Sequence, residues 1–220
     1  MIQINIVISI LIIIILIIII ILLNTKNTFK NINNTIDLYI VGTGGAGNTE
    51  LLKSLSKVLK TNDIDDNDQI KHLSRPEKLN FIPKKVLYIY GEPTKSIYSH
   101  YRRWNSPNEH YKKLNNDTNN NYIHSNEYST YVYDVTNRLE DLSGIYEHYK
   151  AWKGYDKSPI YFLDFSKFKD KKEELMKFLD IKELDIDFDE KRYNKYNSEK
   201  ENVENDIYKN FYKNIYLNMK

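Results

Sequence analysis

The chain has 220 residues, of which 41% are hydrophobic and 28% charged, a balance typical of a folded domain and not of a disordered chain. It contains no cysteine, which excludes a disulfide scaffold, a cysteine-ligated iron–sulfur cluster and a cysteine nucleophile. The formal net charge of +2 gives no basic footprint, so we predict no nucleic-acid partner.

The N-terminus is almost wholly Ile, Leu and Val, and Ile10–Leu23 has no polar side chain. About 20 apolar residues in a helix span the roughly 30 Å of a bilayer's hydrocarbon core. A cleaved signal peptide needs a basic start and small residues at its cleavage site, and neither is present. We therefore predict a single-pass protein held in membrane lipid by a transmembrane helix at residues 1–23, followed by a polar stalk at residues 24–36. Lys26 and Lys30 favour a cytoplasmic C-terminal domain, but two charges leave the side of the membrane open.

Residues 37–220 alternate between short apolar runs and helical patterns. The apolar runs predict strands at Leu38–Val41, Val86–Tyr90 and Ile160–Leu163. Strands that alternate with helices predict an α/β domain with a parallel sheet flanked by helices. The helical patterns cover Leu51–Leu59, Thr94–Trp104, Leu139–Trp152, Lys171–Leu179 and Val203–Ile215.

A glycine-rich loop follows the first predicted strand and precedes the first predicted helix. Its residues are Gly42-Thr43-Gly44-Gly45-Ala46-Gly47-Asn48-Thr49. Backbone N–H groups exposed at a helix N-terminus suit an oxyanion group such as phosphate or sulfate. The pattern therefore predicts an anion-binding turn, and it fits three phosphate-loop templates.

Two of these templates lack a part that they require. Gly42, Gly44 and Gly47 satisfy G-x-G-x-x-G, but Asp63 and Asp65 lie in a polar loop and not at the end of a second strand, where a dinucleotide fold needs an acidic residue. The template G-x-x-x-x-G-K-[ST] has an asparagine at its lysine position. Hydrolysis of ATP or GTP needs that ammonium group on the phosphates, so this interpretation is disfavoured.

The third template is a resemblance to the PAPS-dependent sulfotransferases. Ala46-Gly47-Asn48-Thr49, with Leu51 and Leu52 after it, is similar to the S-G-N-T part of their 5′-phosphosulfate loop, commonly P-K-S-G-N-T or R-S-G-T-T. The resemblance implies a P-loop-like α/β fold and PAPS as nucleotide co-substrate. It also implies that the 5′-phosphosulfate is bound by Gly44, Gly45, Ala46, Gly47, Asn48 and Thr49.

Three later blocks resemble the same family, in matching order over residues 37–217. Lys71–Pro76 is similar to K-T-H-L-P, whose histidine is the general base, so the resemblance implies His72 as the catalytic residue. Gly91–Ser99 is similar to R-D-P-x-D-x-x-x-S, which places Ser99 on the serine that binds the 3′-phosphate of PAPS. Tyr146–Trp152 is similar to Y-E-H-x-x-x-W.

Two departures from the family leave the activity open. Gly45 stands where the loop has a lysine or arginine, and Gly91 stands where the 3′-phosphate has its arginine. A hydrogen bond to a charged partner contributes about 1.5–3 kcal/mol, so two losses cost roughly 3–6 kcal/mol, or about 10²- to 10⁴-fold in affinity. Cations near the matching blocks that could replace these two are Lys53, Lys95, Arg102 and Arg103.

Two functions follow from these patterns. The first is a divergent membrane-anchored sulfotransferase that transfers a sulfuryl group from PAPS to a hydroxyl of a carbohydrate or protein, with His72 as the base. The second is a catalytically inactive sulfotransferase-like membrane protein with a binding or structural role. We predict no metal, because no cluster of histidines or acidic residues has a convincing ligand spacing.

Overall fold

The computed structural model describes Ile14 and residues 36–62, 71–103, 107–115, 126–184 and 205–220. Apart from Ile14, these residues belong to one compact unit, Ile36–Lys220. The predicted transmembrane helix at residues 1–23 and the predicted stalk at 24–36 lie outside the described residues, except for Ile14 and Ile36. Among the described residues, no helix combines the length and the apolar composition needed to span a bilayer.

The centre of the unit is a three-stranded parallel sheet, so the predicted α/β class is confirmed. The strands are β1 (Leu38–Gly42), β2 (Lys85–Tyr90) and β3 (Ile160–Asp164), and β2 lies in the middle. Val41 lies beside Tyr88 in the register. Because parallel strands end at the same edge of a sheet, the carboxyl ends of all three strands lie on one side, where the glycine loop begins.

Helices cover both faces of this sheet. They are α1 (Asn48–Leu55), α2 (Pro93–Arg103), α3 (Pro107–Leu114), α4 (Tyr128–Arg138), α5 (Ile145–Lys153), α6 (Phe168–Leu179) and α7 (Asp206–Met219). Apolar side chains of β1 alternate between two cores, because successive residues of a strand point to opposite faces. Leu38 and Ile40 pack in one core with α1 and α6, whereas Tyr39 and Val41 pack in the other with the remaining helices.

The helix predicted from Leu139 to Trp152 begins later, at Ile145. Leu139 has φ 53° and ends α4 in the left-handed region, which a continuous helix does not allow. The carboxylate of Asp141 then accepts hydrogen bonds from the Tyr146 backbone N–H at 2.8 Å and from the Tyr212 hydroxyl at 3.1 Å. Burial raises the pKa of Asp141 despite these hydrogen bonds. The start of α5 is therefore fixed by a half-buried carboxylate that also contacts α7.

Other boundaries differ from the prediction by a few residues. α1 ends at Leu55, and the predicted continuation to Leu59 is a turn. α6 begins at Phe168 instead of Lys171, directly after a short 3-10 turn. The sequence did not predict two helices that follow α2. They are α3, in the Asn- and Tyr-rich tract, and α4, which begins at the end of that tract.

Candidate anion-binding site

The glycine loop joins β1 to α1 through three left-handed residues. Gly44, Gly45 and Gly47 have φ values of +83°, +71° and +76°. Glycine reaches this region without the steric cost that a Cβ atom imposes. Gly47 is the N-cap of α1, so the loop delivers the chain directly into the first turn of that helix.

The loop also has no room for side chains at these positions. A Cβ atom on Gly45 would lie 2.8 Å from the carbonyl oxygen of Ser96 and 2.9 Å from its Cα, both on α2. A Cβ on Gly47 would overlap the ring of Phe165, which follows β3. Gly45 is the position at which the family resemblance expects a cation, and the backbone of α2 fills the space where that side chain would start.

The loop presents backbone donors at the N-terminus of α1. In the described part of the chain, no hydrogen bond is donated by the amides from Gly44 to Thr49, and the first amide of α1 with a backbone acceptor is that of Leu51, 3.1 Å from the Gly47 carbonyl. Gly45, Gly47 and Thr49 are half-exposed, so the loop is reached from solvent. Such donors at the positive end of a helix dipole are suited to an anion.

Two buried side chains beside the loop have no hydrogen-bond partner within the described residues. Asn48 is 4% exposed and neither Oδ1 nor Nδ2 is bonded; Ser96 is 1% exposed and its Oγ is likewise unbonded. An unsatisfied buried polar group costs about 1–3 kcal/mol. The residues present therefore fit a bound polar group at this loop, which would satisfy these atoms.

His72 is held against the loop. Its Nδ1 lies 2.6 Å from the carbonyl oxygen of Gly42. A carbonyl oxygen only accepts, so Nδ1 carries the proton and donates it. In the neutral ring the lone pair is then on Nε2, the atom that a general base uses. The structure thus places His72 beside the loop, where it is 5% exposed, and its role as a base stays a prediction.

Two further histidines, which no sequence block marks as functional, surround Gly44. His110 on α3 donates from Nε2 to the Thr43 carbonyl at 2.7 Å. His100 on α2 packs against the His110 ring with 4.7 Å between centroids. Burial lowers the pKa of His100 well below its usual value, and the charges of His110, Arg103 and His72 lower it further. His100 is therefore neutral near pH 7 and adds no positive charge to the loop.

The segment that carries His72 is fixed by the Tyr146–Trp152 block. The Leu73 carbonyl accepts hydrogen bonds from His148 Nε2 and from Trp152 Nε1, each at 3.0 Å. His148 Nδ1 accepts in turn from the Tyr88 hydroxyl at 2.8 Å. Burial lowers the pKa of His148 to about 3, so this ring is neutral and its role is structural.

Ser99, the residue predicted to bind the 3′-phosphate, is buried on α2. Its carbonyl accepts from Arg103 Nε at 3.1 Å. The atoms nearest to a Cβ placed on Gly45 belong to Ser96 and His100 of α2 and not to Ser99. The role of Ser99 therefore stays a prediction.

The cationic side chains that the sequence offered as replacements have the following surroundings. Lys95 Nζ lies 3.5 Å from a carboxylate oxygen of Glu92, and Lys53 and Arg102 are exposed. Lys71 is buried, and its carbonyl accepts from the Gly42 amide at 3.0 Å, which puts the backbone of this lysine beside the end of β1. Among the described residues, no group of three or more histidine or acidic side chains is placed to hold a metal ion.

The chain was compared with protein-family models, with curated proteins and with solved structures, and none of them matches it. Its function therefore has to be inferred from the geometry of the site.

Proposed function

We propose that the chain is a divergent, membrane-anchored sulfotransferase with a P-loop-like fold, which binds PAPS at its glycine loop. The observation that carries the proposal is the row of amides from Gly44 to Thr49, which donate to no acceptor in the described part of the chain. These amides lie at the N-terminus of α1 and would hold the 5′-phosphosulfate. Ser99 would bond the 3′-phosphate.

His72 would act as the general base. The bound co-substrate supplies the sulfuryl group, which passes to a hydroxyl oxygen of a carbohydrate or protein. The Nδ1–H bond to Gly42 keeps the lone pair of the neutral ring on Nε2. Nε2 would take the proton of the acceptor hydroxyl while that oxygen bonds to sulfur and the bond from sulfur to the 5′-phosphate oxygen breaks.

A second candidate function is binding of the nucleotide without transfer. It is favoured by the contact between Gly45 and the backbone of Ser96, which leaves no room for the cation of the family loop. Charge developing on the transferring group would then be stabilised by neutral donors alone, and electrostatic support is often the largest catalytic contribution. Such a protein would hold PAPS or PAP and serve as a binding or structural protein.

Calorimetry with PAP tests the binding that both candidates share. The full-length chain in detergent micelles should bind PAP, with a lower affinity than a sulfotransferase site that has both cations. Adenosine, which lacks the phosphate groups, is the matched control ligand. No heat of binding at millimolar PAP would overturn the proposal. Transfer of label from ³⁵S-PAPS to a panel of sugars and tyrosine peptides then separates the candidates, because only the first predicts labelled acceptor.

The membrane anchor has its own test. We propose that residues 1–23 form the single transmembrane helix, because their apolar length suits a bilayer. The full-length chain should remain in the membrane fraction after alkaline carbonate extraction, and a variant without residues 1–23 should be released. Release of the full-length chain would contradict the anchor without affecting the nucleotide site.

A further inference from the structure

The hydroxyl group of Ser96 lacks the partner that a serine in a helix usually has. A serine in a helix commonly donates back to a carbonyl three or four residues earlier. The Glu92 carbonyl accepts from the Ser96 backbone N–H at 3.0 Å, but the Ser96 Oγ has no hydrogen-bond partner among the described residues. At 1% exposure it has no contact with bulk water either.

Ser96 is also, like His100, a residue of α2 that lies against the glycine loop. Its Cα and carbonyl oxygen are the atoms nearest to the missing Cβ of Gly45, at 2.9 and 2.8 Å. The turn of α2 that carries Ser96 therefore occupies the volume in which a cationic side chain at position 45 would begin.

Asn48 gives a second, independent unsatisfied group at the same loop. It is the first residue of α1, and its Nδ2 lies 2.5 Å from the position of a Cβ on Gly42, the glycine at which β1 ends. Both polar atoms of this buried amide are unpartnered within the described residues. A bound anion can accept from Nδ2, as it can from the Ser96 hydroxyl.

We infer that Ser96 Oγ and Asn48 Nδ2 are direct neutral ligands of the oxyanion in the glycine loop, in place of the cation that Gly45 excludes. The ligand class is a phosphate or sulfate group carried on a nucleotide. The inference rests on the proposed function, to which it adds Ser96 as a binding residue that the sequence patterns did not indicate. It also gives a physical reason why these two buried groups lack protein partners.

The test combines affinity with the stability of the unliganded protein. Ser96→Ala and Asn48→Leu, made in the full-length chain, should each weaken PAP and inorganic sulfate binding by about 10- to 100-fold, since each removes a donor to a charged group. The melting temperature without ligand should be unchanged or higher, because each variant removes an unsatisfied buried group. Ser96→Thr keeps the hydroxyl and should retain most of the affinity.

Ser54→Ala is the matched control. Ser54 is a buried serine on α1, six residues after Asn48 and so about 9 Å along the helix axis. This variant should bind PAP as the wild type does.

The outcomes separate this inference from the proposed function. If the wild type binds PAP and Ser96→Ala and Asn48→Leu bind it with the same affinity, the two ligand roles are overturned and the proposed function stands. A wild type that binds neither PAP nor sulfate overturns both. A variant that unfolds or melts well below the wild type without ligand shows that the group is structural, which also overturns its ligand role.

Discussion

The Nδ1 atom of His72 lies 2.6 Å from the carbonyl oxygen of Gly42, so the last residue of β1 fixes the tautomer of the proposed base. This one contact links two sequence blocks that are 30 residues apart. In the proposed function, His72 would therefore both hold the loop and accept a proton.

Substitution of His72 can separate these duties. His72→Asn places an amide nitrogen near the position of Nδ1, so it should keep the bond to Gly42 and the affinity for PAP, while sulfuryl transfer falls by about 10²- to 10⁴-fold. His72→Ala removes the donor as well and should lower the free energy of unfolding by about 1–3 kcal/mol. Calorimetry, ³⁵S transfer and urea unfolding measure the three quantities. Wild-type transfer rates in His72→Asn would rule out the base.

A lysine at position 45, where the resemblance expects a cation, should not increase the affinity for PAP. Gly45→Lys places a side chain at φ +71° against the backbone of Ser96, so we expect a loss of at least about 1–2 kcal/mol of stability and no gain in PAP affinity. Gly45→Ala isolates the steric part and should lose a similar amount in urea unfolding. Tighter PAP binding by the lysine variant would show that the loop opens away from α2.

Gly47 and Phe165 should be energetically coupled. Gly47→Ala combines a left-handed residue with an overlap between its Cβ and the Phe165 ring, so it should destabilise the protein. Its cost should be smaller in a Phe165→Ala background, where the strain remains and the ring contact is gone. Gly154→Ala is the control, because the nearest atom to its Cβ is 3.7 Å away and its φ is −81°. Equal costs in both backgrounds, from urea unfolding, would exclude the coupling.

His148 should make the fold sensitive to acid. Its pKa of about 3 in the folded protein is below the value of 6.5 that an unperturbed histidine has. Between these pH values the unfolded chain binds more protons, so the free energy of unfolding should fall as the pH drops from 6.5 towards 3, by at most about 1.4 kcal/mol per pH unit from this group. More than about one pH unit above 6.5, the group adds almost no pH dependence.

The difference between wild type and His148→Gln isolates this effect. Urea unfolding at pH 7, 6 and 5 should give a shallower decline of stability for the variant. Equal slopes for the two proteins would show that His148 titrates alike in the folded and unfolded states.

The strands and the loop could be predicted because their signals are local. Leu38–Val41 is a continuous apolar run, and a strand buried on both faces needs such a run. The loop has its glycines where the backbone turns left-handed. By contrast, α3 was missed because its residues, Pro107–Leu114, are mostly polar and stand in an Asn-rich tract. The start of α5 depends on the half-buried carboxylate of Asp141, whose hydroxyl partner Tyr212 is 71 residues away.

The sequence marked the parts of the candidate site that follow one another along the chain, and it did not mark the parts that depend on packing. His72 was found through a sequence block, and the structure brings it to the loop. His110 reaches the Thr43 carbonyl across 67 residues, and no local pattern marks such a contact. From the sequence, Gly45 is only a position at which the expected cation is absent. The structure adds that the backbone of Ser96 occupies the space that a side chain at position 45 would need, and this depends on how α2 packs.

The Leu73 carbonyl, which accepts two hydrogen bonds, limits what can be concluded from a resemblance at the Tyr146–Trp152 block. His148 and Trp152 fix the backbone of the segment that follows His72 through these hydrogen bonds. A protein without catalytic activity could therefore still need these two side chains, because they satisfy the Leu73 carbonyl. A resemblance at the Tyr146–Trp152 block therefore indicates a similar local structure, whereas catalysis has to be tested at the glycine loop.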